Sequence, residues 1–194
     1  HRVDADTPLE ETLGALDTLV RQGKALYAGL SNYPDPTFSA ALAIMRKVSG
    51  TPIVLHQPRY NLFERAIEQT VLPTASREGL GVIAYSPLAQ GLLTGRYLND
   101  VPADSRAASN RGNGAIGSSQ ITPERLNKIR ALHQVAQRRG QSLAQMALAW
   151  ILRDPRVTSV LTGASHPAQI VDSVACLQNL NFSAEELAEI DRAC

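Results

Sequence analysis

Short apolar segments alternate with amphipathic helical segments along this chain, and this alternation constrains the fold more than any other feature of its sequence. Strands buried on both faces are short and rich in Val, Ile, Leu and Tyr. Four segments meet this description: residues 25–30, 53–57, 81–85 and 158–161. Strands separated by helices join into a parallel sheet or barrel through βαβ units. The pattern therefore predicts an α/β fold.

Helix start signals lie between these strands. Thr7, Pro8 and Glu10 predict a capping box, with proline at the first helical position, and a helix that runs to about Gln22. Further starts are predicted at Asp35-Pro36, at Thr122-Pro123, at Ser142 and at Ser183 with Glu186. The helix after Ser142 carries Leu143, Met146, Ala147 and Trp150 at helical spacing. We interpret these four side chains as core packing and not as cofactor contacts.

Four βα units amount to half of a (β/α)8 barrel, which typically needs roughly 250 residues, whereas this chain has 194. We therefore expect residues 1–194 to be the C-terminal part of such a TIM barrel. The alternative is a complete flavodoxin-like sheet, which would open with a strand near the amino end. Nothing before Ala25 supplies that strand. The chain begins without methionine, as a fragment or a processed chain would.

The composition excludes several classes of protein. Hydrophobic residues make up 44% of the chain, which is in the globular range. The net charge is +1, from 19 basic and 18 acidic residues without a block of either sign, so neither a nucleic acid nor an anionic membrane is expected as a partner. No apolar run reaches the roughly 20 residues of a membrane span and no signal peptide is recognised, so we expect a cytoplasmic location.

The two cysteines, Cys176 and Cys194, have no metal-ligand or redox spacing, so neither a metal site nor a disulfide framework is expected. A small molecule is the expected partner. The oligomeric state is left open, with a homo-oligomer as one alternative.

Residues 99–120 interrupt the alternation, since they are rich in Asp, Ser, Asn, Gly and Arg and have no periodicity. Structureless loops beyond roughly 12–15 residues are usually lids, binding loops or disordered segments, so this stretch is a candidate cofactor flap. Within it, residues 112–117 match G-x-G-x-x-G. The match does not predict a Rossmann site, because that fingerprint needs a strand before the glycines and a helix after them.

Polar residues follow all four predicted strands. They are Ser31-Asn32, His56-Gln57, Tyr85-Ser86 and Thr162-Gly163-Ala164-Ser165. Any one of these groups fits a helix cap or a turn equally well. Together they predict one shared ligand, because the active sites of barrels are built at the carboxyl ends of the strands.

Four motifs resemble the aldo-keto reductase superfamily in their residues, order and spacing. They are Gly29-Leu30-Ser31-Asn32, Gln57-Pro58-x-Tyr60-Asn61, the run from Tyr85-Ser86-Pro87-Leu88-Ala89 to Tyr97, and Gly163-Ala164-Ser165. The chain is most similar to the bacterial L-glyceraldehyde 3-phosphate reductase group and its relatives, the potassium-channel β subunits. Phrases such as Thr7-Pro8-Leu9-Glu10-Glu11-Thr12 carry this finer assignment.

The resemblance implies a reductase in which hydride passes from NADPH to a carbonyl carbon while a tyrosine, helped by a lysine, an aspartate and a histidine, supplies a proton. His1-Arg2-x-Asp4 is similar to the end of the fourth barrel strand, which makes His1 the family's catalytic histidine. A neutral imidazole there would hydrogen-bond the carbonyl oxygen. The alternative for His1 is a tag remnant or a frayed terminus. The aspartate, tyrosine and lysine are expected upstream of His1, and neither Tyr60 nor Tyr85 replaces them.

The resemblance also implies where NADPH binds. Ser31, Asn32 and Gln57 match positions that hold the nicotinamide carboxamide, and Tyr85 matches the aromatic that stacks on the nicotinamide. The alternative for Tyr85 is a plain core tyrosine. The remaining matched positions contact the phosphates and the adenosine: Ser86, Pro87, Leu88, Ala89, Gly91, Arg96, Arg106, Gly163, Ser165, Gln169, Asp172 and Ser173.

Two of these implications have specific weak points. Relatives usually carry glutamate where this chain has Asp172 and asparagine where it has Ser173, so the adenine contacts depart most from the family pattern. The alternative for Arg96 or Arg106, taken alone, is a solvated surface charge.

The sequence thus predicts NADPH-dependent reduction of small aldehydes, such as glyceraldehyde 3-phosphate or methylglyoxal, without a metal. The first alternative is an NADPH-binding regulatory or redox-sensing barrel without significant turnover. His1 favours the enzyme, since the channel-β relatives tend to have asparagine there. The second alternative is a phosphate-binding barrel lyase or synthase, which the pairs Ser31-Asn32 and Tyr85-Ser86 disfavour.

Overall fold

The computed structural model describes residues 1–48, 50–98 and 121–194. They fall into two compact units. The first unit contains residues 1–60, 65–85 and 155–159, and the second contains residues 61–64 and the described parts of 86–154 and 160–194.

A parallel sheet organises the first unit. Its helices are α1 (Leu9–Arg21), α2 (Asp35–Lys47) and α3 (Val71–Arg77), and its strands are β1 (Ala28–Ser31), β2 (Ile53–Gln57) and β3 (Gly81–Ala84), with Ser159 of the two-residue β4 (Ser159–Val160). The strand order is β1-β2-β3-β4, and the β1–β2 and β2–β3 pairs are parallel. A short 3-10 turn, Ala66–Glu68, precedes α3. Helix alternating with parallel strand is the predicted α/β pattern, which is confirmed.

The core of the first unit follows from helical periodicity. Phe38, Ala41, Leu42 and Met45 recur at three- and four-residue spacing on α2, and all are buried. The strands are less enclosed than expected for burial on both faces, since Val54 on β2 is 37% exposed. The sheet is therefore covered more completely on one face than on the other.

Helix packing organises the second unit. Its helices are α4 (Pro123–Arg138), α5 (Leu143–Leu152), α6 (Pro167–Val174) and α7 (Ala184–Ala193), with 3-10 segments at Ala89–Thr94 and Ala175–Gln178. Leu148 and Ala149 of α5 pack with Cys176 in the core. Trp150 is also fully buried, which confirms the core interpretation of the residues after Ser142.

Three of the five predicted helix caps are confirmed and two are wrong. Thr122, Ser142 and Ser183 each accept a backbone N–H bond, and the latter two form full capping boxes. Thr7 caps nothing, because Pro8 takes the N-cap position and Thr7 lies one residue before it; the Thr7 hydroxyl donates to Asp4 Oδ2 at 2.7 Å.

Asp35 is the second wrong cap. Helix α2 begins at Asp35 itself, after Pro34 at the N-cap, and no side chain caps it. Pro34 has an extended ψ of 151°, so the extended segment before α2 ends at Pro34, one residue before the predicted N-cap. The sheet pairing is also shorter than the predicted strands, since β1 begins at Ala28, β3 ends at Ala84 and β4 contains two residues.

The remaining predictions concern the loop at residues 99–120, the cysteines, metal sites and membrane spans. The proposed flap at residues 99–120, with its G-x-G-x-x-G match and Arg106, lies outside the described residues. Neither Cys176 nor Cys194 forms a disulfide within the described residues. Within the described ranges, no three His, Cys, Asp or Glu side chains are grouped so that they could hold a metal ion. None of the helices in these ranges has the length and apolarity needed to cross a membrane.

Candidate cofactor-binding site

Four polar residues at the ends of β1, β2 and β3 form one hydrogen-bonded group, the strand-end cluster: Ser31, Asn32, Gln57 and Tyr85. Ser31 pairs with Gln57 in the parallel register, and its hydroxyl donates to the Gln57 carbonyl at 2.8 Å. Asn32 Nδ2 donates to Ser31 Oγ at 3.0 Å, and the Tyr85 hydroxyl donates to Asn32 Oδ1 at 2.8 Å. Because both ends of the Asn32 carboxamide are bonded, the cluster fixes which end of the amide faces Ser31 and which faces Tyr85.

The backbone of Asn32 is held in an unusual conformation. Its φ is +57°, in the left-handed region that asparagine tolerates better than most residues. The Asn32 N–H donates to the Gln57 carbonyl at 3.3 Å, and the next N–H, of Tyr33, donates to His56 Nε2 at 3.3 Å. The turn after β1 is thus bonded to two successive residues of β2.

His56 is a buried member of this region to which the sequence assigned no role beyond its place at a strand end. Its ring is fully buried and lies 4.4 Å from the Phe38 ring, centroid to centroid. Burial lowers the pKa of His56 to about 4, partly offset by the Tyr33 N–H bond. The imidazole is therefore neutral near pH 7.

A second group of predicted residues lines an open cavity of about 550 Å³ in the second unit, the loop pocket, formed by residues 86–97 and 161–169. The predicted residues on its wall are Ser86, Pro87, Leu88, Gly91, Arg96, Gly163, Ser165 and Gln169. The two loops, which are separated by residues 98–160 in the sequence, therefore meet at one cavity.

The first loop of the pocket is shaped by its backbone. Five residues have positive φ: Ser86 (+53°), Ala89 (+46°), Gln90 (+57°), Gly91 (+103°) and Gly95 (+77°). The buried Asn61 side chain braces this turn, because its Nδ2 donates to the Ser86 carbonyl at 3.1 Å. The sequence assigned Asn61 no role, and the signal that could have revealed one is its position in the motif Gln57-Pro58-x-Tyr60-Asn61.

The second loop leads into helix α6. The N–H and hydroxyl of Ser165 both donate to Gln169 Oε1, at 2.8 and 3.3 Å. Helix α6 begins two residues after Ser165, at Pro167. The amino end of a helix favours anions through its free N–H groups and dipole. Arg96 adds an exposed guanidinium to the same cavity wall.

Some predicted site residues are not among those that line the loop pocket. Ala89 is buried and is not one of the lining residues. The Asp172 carboxylate accepts a hydrogen bond from Gln145 Nε2 at 2.7 Å, at the cap of α5, and Ser173 follows on the same helix. His1 is exposed in the first unit. The roles assigned to these residues, and a ligand shared by all four strand ends, stay predictions.

The aldo/keto reductase family model matches residues 1–194. The chain belongs to the aldo/keto reductase family. This confirms the resemblance read from the motifs, and with the parallel sheet it identifies the described α/β structure as part of a (β/α)8 barrel. That the segment begins at the end of a fourth barrel strand stays a prediction.

Named relatives in this family cover nearly the whole chain. It is 48% identical to the L-glyceraldehyde 3-phosphate reductase of Escherichia coli K12, over 99% of this chain and 56% of the relative. It is 37% identical to the probable voltage-gated potassium channel subunit beta of Oryza sativa subsp. japonica, over 97% of this chain and 58% of the relative. The corresponding Arabidopsis thaliana protein is 36% identical, over 90% of this chain and 53% of its own length. The chain therefore spans little more than half the length of these relatives.

Proposed function

We propose that the protein carrying this chain is an NADPH-dependent reductase of small aldehydes, such as glyceraldehyde 3-phosphate or methylglyoxal, that works by direct hydride transfer. The observation that carries the proposal is the loop pocket, where two loops with reductase motifs and an arginine line one cavity. The 48% identity to an L-glyceraldehyde 3-phosphate reductase supports the substrate class.

The loop pocket fits the phosphate-bearing part of a dinucleotide. Its volume of about 550 Å³ is within the range of roughly 300–1,000 Å³ typical of small-molecule sites. Gly91 has no side chain to block the approach of an anion, and Arg96 supplies positive charge. We assign phosphate binding to residues 86–91, Arg96, Gly163 and Ser165, with Gln169, Asp172 and Ser173 toward the adenosine.

The strand-end cluster fits the nicotinamide end. The Asn32 carboxamide has one donor hydrogen and one acceptor lone pair beyond its bonds to Ser31 and Tyr85. We assign it, with Ser31 and Gln57, to the nicotinamide carboxamide, and Tyr85 to stacking on the ring. Bound NADPH supplies the hydride, and these residues orient the ring face that meets the carbonyl.

His1 is assigned to the substrate. A neutral imidazole that donates to the carbonyl oxygen would stabilise the charge that develops there. The aspartate, tyrosine and lysine that complete the proton-donating group are expected in chain upstream of His1. General acid catalysis of this kind contributes about 10²–10⁴-fold.

A second candidate function is NADPH binding without significant turnover, as a regulatory or redox-sensing subunit. The identities of 37% and 36% to two probable potassium channel beta subunits favour it. His1 favours the enzyme over this regulatory alternative.

The decisive experiment measures NADPH consumption by the complete protein with glyceraldehyde 3-phosphate and with methylglyoxal. We expect aldehyde-dependent turnover, and we expect His1→Ala to lower it by about 10²-fold with little change in NADPH affinity. His133→Ala, on α4, is the matched histidine control. Tight NADPH binding without turnover would favour the regulatory subunit, and absence of binding would refute both functions.

A further inference from the structure

His56 lies behind the strand-end cluster, on β2 immediately before Gln57. Its side chain is fully buried in the described structure. Its Nε2 accepts the Tyr33 N–H at 3.3 Å. Because Tyr33 follows Asn32, this bond restrains the peptide unit on the carboxyl side of Asn32.

The peptide unit on the other side of Asn32 is restrained from the same strand. The Asn32 N–H donates to the Gln57 carbonyl at 3.3 Å. Between these two bonds Asn32 adopts a φ of +57°, in the left-handed region that asparagine tolerates, and the two bonds hold the backbone there. The direction of the Asn32 carboxamide therefore depends on both bonds to β2.

The surroundings of His56 are poorly matched to a purely packing role. Since Nε2 accepts a hydrogen bond, the hydrogen of the neutral ring is on Nδ1. Nδ1 is buried and has no hydrogen-bond partner among the described residues, while the ring packs on Phe38. An apolar side chain would fill the same space without burying an unpaired N–H. Such a side chain would, however, provide no acceptor for the Tyr33 N–H.

We infer that His56 is a positioning residue that holds the Asn32 carboxamide in its ligand-binding orientation through the Tyr33 N–H. The inference rests on the proposed function, in which Asn32 binds the nicotinamide carboxamide of NADPH. His56 itself touches neither cofactor nor substrate.

The test compares two substitutions at position 56 in the complete protein, with NADPH titrated by fluorescence. In His56→Gln the side-chain oxygen can take the place of Nε2 and accept the Tyr33 N–H, whereas His56→Met fills the space without an acceptor. We expect His56→Met to weaken NADPH binding by about three- to tenfold and His56→Gln to restore affinity to within about twofold of wild type.

A matched control separates positioning from general loosening of the core. Phe38→Leu removes packing on the His56 ring and leaves the Nε2 bond in place. We expect it to lower the unfolding temperature while NADPH affinity stays within about twofold of wild type. If His56→Met fails to fold, His56→Asn replaces it, because the asparagine oxygen ends short of the Nε2 position.

Three results would overturn the inference. These are unchanged affinity in His56→Met, failure of His56→Gln to restore affinity, and a loss in Phe38→Leu equal to that in His56→Met. In each case wild-type NADPH binding would leave the proposed function standing. A wild-type protein that does not bind NADPH would overturn the proposed function and this inference with it.

Discussion

The strand-end cluster and the loop pocket are built by different means. In the cluster, side chains are bonded to one another, from Tyr85 to Asn32 to Ser31, and the chain of bonds ends on the Gln57 carbonyl. In the loop pocket, the shape comes from backbone turns with positive φ, which reaches +103° at Gly91. The comparison teaches that the two regions should respond to different substitutions: the cluster to a lost polar atom, the pocket to a lost glycine or a lost charge.

The strand-end cluster and the loop pocket also differ in charge. The cluster residues carry no net charge and are partly buried, which suits a neutral carboxamide. The pocket presents the exposed guanidinium of Arg96, which suits phosphate. An exposed charge is screened by salt, whereas hydrogen bonds between partly buried groups are screened less.

The largest expected effect tests the backbone origin of the pocket. Gly91→Ala should destabilise the protein by about 1–3 kcal/mol, because an L residue at this φ is strained, although a Cβ would meet only the Tyr97 ring, at 3.8 Å. Gly163→Ala is the control for stability, since a Cβ there meets nothing within 4 Å and its φ is ordinary. Unfolding in urea measures both. Equal destabilisation by the two substitutions would contradict a backbone-built pocket.

The intermediate effect tests the charge of the pocket. Arg96→Gln should weaken NADPH binding by about tenfold and leave NADH binding nearly unchanged, if the guanidinium binds the 2′-phosphate that only NADPH has. Parallel titrations with the two cofactors measure the difference. Arg130→Gln, on α4, is the matched control. Equal losses for NADPH and NADH would show that Arg96 does not recognise the 2′-phosphate.

The smallest expected effect tests the side-chain origin of the cluster. Tyr85→Phe removes the donor to Asn32 Oδ1 and keeps the ring, so both cofactors should bind about three- to fivefold more weakly, and by the same factor. The common factor is expected because the nicotinamide is the same in NADPH and NADH. Tyr27→Phe, at a tyrosine that is 72% exposed, should change neither affinity. A loss confined to NADPH would place Tyr85 near the adenosine end instead.

The sequence predicted the fold class. It also predicted the helix starts that depend only on neighbouring residues. Ser142 and Ser183 are each followed three residues later by the Gln or Glu of a capping box, and both boxes form. Thr7 has the same spacing, but the helix begins at Leu9 with Pro8 at the N-cap, so Thr7 lies one residue too early to cap it. A spacing rule does not decide at which of two neighbouring residues the backbone becomes helical, and the prediction at Thr7 was wrong for that reason.

Parts of the candidate site were predicted as residues and others were missed. The motifs named Ser86, Arg96, Gly163 and Ser165, which meet at one cavity. They assigned no role to Asn61, which is buried and braces the Ser86 carbonyl, because a bracing amide and a surface asparagine look alike in a sequence.

The sequence by itself determined the features that depend on residues close together along the chain. Helical spacing such as Phe38, Ala41 and Leu42 and the serine caps require only residues within one or two turns, so they can be read directly. The tertiary structure decided the partners that lie far apart. The Tyr85 hydroxyl donates to Asn32 Oδ1 across 53 positions, and the Tyr33 N–H donates to His56 Nε2 across 23 positions. Such pairs exist only once the parallel register brings the strand ends together, and the register is set by the burial of the whole sheet.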